Sequence, residues 1–387
     1  MAKSPSLLLY DEGYLDYNFG PAHPFQQGRV KLARELIDGV GLLGHPMARE
    51  EAALPASEAH LLLAHAPEYL EVVQQAGENP ATAGMRYLDY GLGSADNPIF
   101  PRMYEAAALP TGGTLAAVDA VRRGEAHNAF NLGGGFHHAH RARASGFCIF
   151  NDLSVAIHHL LQEGVSRILY LDVDAHHGDG VQYAFYEDPR VLTISLHEDG
   201  RYLFPGTGSI DEVGEGEGEG YSVNVPLPPR TGDEAYLDAF RAVVPPLVEA
   251  FAPDLILNQF GIDTYVTDPL THLGLGTSAH RAIAQEARAL ADRVCGGRWV
   301  VTGGGGYEPS AVARAWALVY GVMLGAGMED AIPEDVASLH RTLFGGDLGT
   351  GGLVDDPQPS TPAAERALEG VLDRVKATVF PFHGLES

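Results

Sequence analysis

Short apolar runs bounded by polar turns recur between residues 111 and about 327, and longer stretches with apolar residues at every third or fourth position lie between them. The runs 165–173, 191–196, 254–260 and 299–302 are rich in Val, Ile and Leu and predict strands buried on both faces. The segment 126–132 is a weaker candidate of the same kind. Segments 153–162, 234–250, 278–294 and 311–324 carry the helical period, with Asn151 or Asp152, Asp233 and Ser278 placed to cap their starts. Strands alternating with helices predict an α/β fold with a mostly parallel sheet and helices on both faces. No internal repeat and no linker divides the chain, so residues 1–387 read as one domain. The Gly-Glu alternation at 214–220 reads as a flexible loop. Beyond about residue 345 the chain turns rich in Gly, Pro and acidic residues and predicts a peripheral tail, 345–387, with one helix at 362–378.

Composition narrows the class. The 387 residues hold 51 Asp plus Glu against 25 Lys plus Arg, a formal net charge of −26. Such acidity opposes general binding to a nucleic-acid backbone. It tolerates cationic partners, though a solvated acidic surface is the simpler account. Two cysteines, Cys148 and Cys295, suffice for neither a disulfide framework nor a thiolate zinc site and fit a reducing compartment. The opening residues lead into a Leu-Leu-Leu-Tyr run too short for a secretory signal, and no stretch has the apolar length of a membrane span. A cytoplasmic protein without a membrane partner is expected, and its oligomeric state is left open.

The chemistry sits just past the predicted strands. Residues 171–180 read Leu-Asp-Val-Asp-Ala-His-His-Gly-Asp-Gly. Strand alternation would project Asp172, Asp174 and His176 from one face, with Val173 and Ala175 on the other. One such Asp reads as a turn or a cap. The whole set at the end of a buried strand calls for a cation, because buried carboxylates are costly without one. With Asp263, which follows 254–260, Asp174 and His176 make three ligands and leave open positions for water and substrate. These donors suit zinc, and iron(II) and cobalt(II) are compatible with them. His137 and His138 follow three glycines after 126–132, and Asp172 and Asp179 are left to orient them as two carboxylate–imidazole dyads. Tyr307 follows four glycines, where its hydroxyl can stabilise an oxyanion. In open α/β sheets ligands bind beyond the carboxyl ends of the strands, so these clusters read as one site.

Gly-Gly-Gly-Phe-His-His-Ala-His, Ser-Gly-Phe-Cys-Ile-Phe-Asn-Asp, the 171–180 segment, Phe-Pro-Gly-Thr-Gly, Gly-Ile-Asp-Thr and Gly-Gly-Gly-Gly-Tyr, in this order from about residue 20 to 325, closely resemble the metal-dependent histone deacetylase family. The nearest look is to its bacterial acetoin-utilisation and histone-deacetylase-like members. The resemblance implies an arginase-like three-layer fold with about eight strands and hydrolysis of N-acetyl-lysine amides. By position it makes Asp174, His176 and Asp263 the ligands of Zn2+, His138 with Asp179 the general base and acid, and His137 with Asp172 an electrostatic pair. Tyr307 would polarise the acetyl carbonyl. Phe147 and Phe204 would wall the acyl-lysine tunnel, Gly146 would meet the substrate, Leu270 would stand at the rim, and Asp96 would hold the substrate backbone. Arg29 would line an internal cavity below the metal, although Gln-Gln-Gly-Arg departs from the family's commoner His before this Arg. A monovalent cation such as K+ is implied near Asp172, Ser195 and Leu196, and another near Phe185, Val191 and Tyr221. The expected substrate is an acetylated protein lysine. A small acetylated polyamine or another amide is the alternative within enzymes, and a non-catalytic acyl-lysine-binding module the alternative outside them. A complete ligand set with two dyads and Tyr307 argues against the last.

Overall fold

The computed structural model describes residues 4–80 and 85–386; Met1–Lys3, the start of the segment weighed as a leader, lie outside them. The strands are β1 (Ser6–Leu9), β2 (Ala48–Glu51), β3 (Asn128–Asn131), β4 (Ile168–Asp172), β5 (Val191–Glu198), β6 (Ser222–Leu227), β7 (Leu255–Gln259) and β8 (Trp299–Thr302). They form one eight-stranded sheet in the order β2-β1-β3-β8-β7-β4-β5-β6, and every pairing in it is parallel. Parallel neighbours need crossover connections, and helices supply them. These are α1 (Gly28–Gly39), α2 (Glu58–Leu61), α3 (Pro67–Glu78), α4 (Met103–Arg122), α5 (Asp152–Gln162), α6 (Asp179–Ala184), α7 (Asp233–Phe251), α8 (Thr277–Cys295), α9 (Pro309–Leu324), α10 (Glu334–Phe344) and α11 (Pro362–Val379).

Alternation along each strand divides the core in two. Leu169 and Leu171 of β4 join a cluster with Val30, Phe240, Ile283 and Trp316 from α1, α7, α8 and α9. Ile168 and Tyr170 join Val118 and Ile157 from α4 and α5 on the opposite face. The sheet is thus covered on both sides, which explains why its central strands begin as apolar runs with no polar alternation and turn polar only at their carboxyl ends. A third cluster, rich in aromatic residues (Tyr17, Phe25, Tyr69, Phe100, Phe136 and Phe150), includes residues of the loops that carry the tandem histidines and of the 145–150 segment. No helix among the described residues is long and apolar enough to cross a membrane.

Two predicted caps act elsewhere. Asn151 caps α5 as expected, its side chain accepting from Ser154 N–H at 2.8 Å. Gly232 and Gly276, however, occupy the cap positions of α7 and α8. Asp233 reaches across to the start of α8, accepting from Gly276 N–H at 2.8 Å and from the Ser278 hydroxyl at 2.7 Å. The short polar side chains do bind a helix start, but that of the neighbouring helix. The Gly-Glu segment is a loop with a turn at Gly216–Gly218, tied to its surroundings by Glu215 N–H to Tyr186 O and Gly220 N–H to Val213 O.

Candidate active site

The chain leaves extended geometry at Asp172, because consecutive side chains fold back on the backbone two residues ahead. Asp172 Oδ1 accepts from Asp174 N–H at 3.1 Å, and Asp174 Oδ1 accepts from His176 N–H at 2.9 Å. Aspartate is suited to such turns. They correct the expectation that Asp172, Asp174 and His176 share one strand face: β4 ends at Asp172, and the three side chains part company beyond it. Asp172 turns to His137, while Asp174 and His176 meet Asp263 from the loop after β7.

Asp174, His176 and Asp263 are buried and place one ligand atom each within 4.8 Å of one another. His176 Nδ1 lies 2.8 Å from Asp263 Oδ2 and 3.2 Å from Asp174 Oδ1. Burial and the adjacent Asp174 push the Asp263 carboxyl up to about 8, a sign of like charges crowded together without water. A divalent cation would relieve that crowding, and the open carboxylate–imidazole donor set fits one. Close backbone approach completes the cradle: a Cβ on Gly305 would meet Asp263 Oδ2, and one on Gly261 would meet Asp174 Oδ2.

The tandem histidines stand beside this group. His137 Nδ1 lies 2.8 Å from Asp172 Oδ2, His138 Nδ1 lies 2.7 Å from Asp179 Oδ1, and the two Nε2 atoms face each other at 3.0 Å. With both Nδ1 atoms donating to carboxylates, the Nε2 pair shares one proton. Burial opposes charge on His137, but Asp172 and Asp174 outweigh it and hold the ring up to about 9. Burial and the neighbouring His137 push His138 down to about 3. The opposite directions favour the proton on His137 and leave His138 Nε2 free to accept one.

Above these residues lies a cavity of about 210 Å³ lined by Asp96, His138, Gly146, Phe147, His176, Leu203, Phe204, Leu270 and Tyr307. The candidate tunnel residues are thus brought together around one opening, with Asp96 and Phe204 exposed. Phe147 holds a left-handed backbone (φ 68°), its carbonyl accepting from the Tyr17 hydroxyl at 2.7 Å and its ring edge-on to Tyr307. A non-glycine in that conformation costs energy and is kept by its surroundings. Burial first, then Asp263, keep the Tyr307 phenol protonated. A smaller cavity of about 20 Å³ lies deeper and is lined by Arg29, Cys148, Asp174, Gly304, Gly305 and Tyr307, among others. Arg29, buried, donates to the carbonyls of Gly304 and Gly306 at 2.7 Å each and so grips the glycine run. A wider groove of about 850 Å³ between α7, α8 and the C-terminal segment lies away from all of these residues.

Sequence reasoning missed the groups that hold these loops. Asp152, considered only as a cap, accepts from Gly135 and Phe136 N–H and from the Thr114 hydroxyl, fixing the loop that bears the histidines. Gln259 donates to Asp174 Oδ2 at 2.7 Å and accepts from Gly261 N–H at 2.8 Å. Tyr170 donates to Asp172 Oδ2 at 2.6 Å. The one visible signal was the polar Asn258-Gln259 pair ending β7 after its apolar start.

The chain has clear relatives among known proteins. The histone deacetylase domain family matches residues 23–323. The acetoin utilization protein AcuC of Bacillus subtilis (strain 168) is 45% identical over 335 residues, covering 85% of each chain. The protein of the same name from Staphylococcus aureus (strain MRSA252) is 40% identical over 320 residues, 82% of this chain and 81% of that one. Among solved structures, a histone deacetylase homologue from Aquifex aeolicus superposes with a TM-score of 0.87 at 31% identity, covering 96% of this chain and all of that one. A homologue complexed with SAHA gives a TM-score of 0.86 at 31% identity, covering 97% of this chain and all of its own.

Proposed function

This chain belongs to the histone deacetylase family and is a deacetylase of that family, and from that premise we propose that it hydrolyses the amide of N-acetyl-lysine in proteins, with zinc held by Asp174, His176 and Asp263. The observation that carries the reading is the narrow cavity running from an exposed carboxylate, Asp96, to a free base and a tyrosine hydroxyl beside a three-ligand cluster. When bound, the cation supplies Lewis-acid polarisation of the acetyl carbonyl and of the attacking water. The chain's residues do the rest. His138 Nε2 takes a proton from water as its oxygen attacks the carbonyl carbon, while Nδ1–H stays on Asp179. Tyr307, whose hydroxyl bonds to no protein group among the described residues, donates to the oxyanion that forms. His138 then returns the proton to nitrogen as the C–N bond breaks, releasing acetate and a lysine amine. His137, held cationic by Asp172, adds favourable charge beside the reacting carbonyl. Free Cys148 and Cys295 suit a cytoplasmic setting.

Asp96 separates a peptide from a small amine as substrate. A carboxylate at the mouth can accept from the backbone N–H groups flanking an acetyl-lysine, or face the distal ammonium of an acetylated polyamine. A charge-assisted bond of this kind is worth roughly 1.5–3 kcal/mol. In the metal-loaded enzyme, turnover of an acetyl-lysine peptide should vanish with a chelator and return with zinc. Asp96→Ala should lower kcat/KM on the peptide by about tenfold to a hundredfold and leave a short acetylated amine without backbone nearly unaffected. The opposite ranking would favour a polyamine, and chelator-resistant turnover would rule out the metal mechanism.

A further inference from the structure

Tyr307 is placed by its backbone. It follows Gly303–Gly306, a run with little conformational preference of its own. The peptide group joining Gly306 to Tyr307 is held at both ends: its carbonyl accepts from Arg29 Nη1 at 2.7 Å, and its N–H donates to Asp268 Oδ2 at 2.8 Å. The other oxygen of Asp268 accepts from Leu270 N–H at 2.9 Å. One carboxylate therefore joins the loop after β8, which bears Tyr307, to the loop after β7, which bears Asp263 and Leu270 of the cavity wall. Asp268 is only 7% exposed and makes no direct ion pair with Lys or Arg among the described residues, although the Arg29 guanidinium acts on it through space. A buried carboxylate without a direct ion pair is costly. An uncharged amide could accept one N–H here but would turn its own NH2 toward the other. The two separate N–H donors are what call for a carboxylate.

We propose that Asp268 is a positioning residue for Tyr307: by fixing the 306–307 peptide it sets where the tyrosine hydroxyl stands over the cavity, and so governs the chemical step more than substrate binding. This rests on the role given to Tyr307 above. The test is a double-mutant cycle in the metal-loaded enzyme, with kcat and KM on an acetyl-lysine peptide, metal content and Tm measured for the wild type, Asp268→Asn, Tyr307→Phe and the double variant. Asp268→Asn should lower kcat by about tenfold to a hundredfold, the scale of one buried N–H group losing its acceptor and facing an NH2 group instead, with KM and metal content nearly unchanged. In the Tyr307→Phe background the same change should cost less than about twofold, because no hydroxyl remains to be misplaced. A residue that merely supported the fold would cost the same factor in both backgrounds. Should Asp268→Asn fail to fold, Asp268→Ser, which keeps one acceptor, takes its place in the cycle. An undamaged Tyr307→Phe enzyme overturns both this inference and the reading beneath it. A damaged Tyr307→Phe enzyme in which the Asp268 change still costs its full factor overturns this inference alone.

Discussion

At the carboxyl ends of β4 and β7 the buried side chains are charged: Asp172, Asp174, Asp179 and Asp263 lie beside His137, His138 and His176, each kept from water. Along α11, which packs against β6 and α7, the buried side chains are apolar, and Leu368, Val375 and Val379 belong to the largest core cluster. The first region spends folding energy to crowd like charges and hold a phenylalanine in a strained backbone. The second buries hydrocarbon and carries no chemistry. A protein that must keep charges dry at one end of its sheet gains its margin elsewhere, and substitutions in the two regions should therefore move different observables.

The largest effect tests the charged end. His138→Ala removes the proposed base, and kcat should fall by about a hundredfold to ten-thousandfold. His137→Ala removes a cation but no base and should cost less. His138→Ala removes an uncharged ring and leaves His140 facing Asp179, so Tm should fall little, whereas His137→Ala takes the cation from Asp172 and Asp174 and should lower Tm as well. Kinetics and calorimetry on the same preparations decide it; equal kcat losses from both changes would sink the division of labour, and a large fall in Tm for His138→Ala would blur the contrast between the regions.

The apolar flank should behave the other way. Leu368→Ala or Val375→Ala removes buried methyl groups from α11 and should cost about 2–4 kcal/mol of stability while leaving kcat and KM at wild-type values. Denaturant unfolding alongside turnover measures both. A loss of kcat at a temperature where the variant is still folded would mean that α11 reaches the site, and the contrast would fail.

Legibility followed the same division. β3, β4, β5, β7 and β8 could be read because strands covered on both faces keep apolar residues on both of them, the polar residues of β7 and β8 falling at the strand ends. β2, Ala-Arg-Glu-Glu, could not: it is an edge strand whose charged side chains, Arg49, Glu50 and Glu51, are partly or fully exposed and all in ion pairs. β1 lies in a leucine run that from sequence was weighed only as a leader, and β6 is broken up by Asn224 and Pro226. At the site, residue types and spacing were enough to choose Asp174, His176 and Asp263, although the alternation argument for Asp172 failed once its side chain turned the backbone. Asp152 and Asp268 stayed hidden because they act through the backbone of loops distant in sequence, which their local spacing does not record, and Gln259 left only the polar end of β7 as a trace.

The smallest effect is a pH dependence that belongs to the site end alone. Three buried histidines bond to its loops: His65 to Asn151 N–H and His140 O, His197 to Gly208 O, and His280 to Gly276 O and the Thr264 hydroxyl. No buried histidine lies on α7 or α11. Burial pushes His65 and His280 down to about 4 and, with the neighbouring His177, His197 down to about 3. For His280 the folded value lies below the unfolded value of about 6.5, so the unfolded chain takes up the proton first as pH falls. Its contribution to stability is full above about pH 6.5 and is lost progressively between there and about pH 4. At pH 5 that amounts to about 2 kcal/mol. His280→Gln cannot titrate. It should be less stable than the wild type at pH 7, having lost a hydrogen bond, but the gap should narrow by about 2 kcal/mol at pH 5. Urea unfolding of both proteins at the two pH values measures that narrowing. A gap that stays constant would mean that His280 titrates alike in the folded and unfolded chains, and the acid sensitivity of the site end would then have to come from its carboxylates.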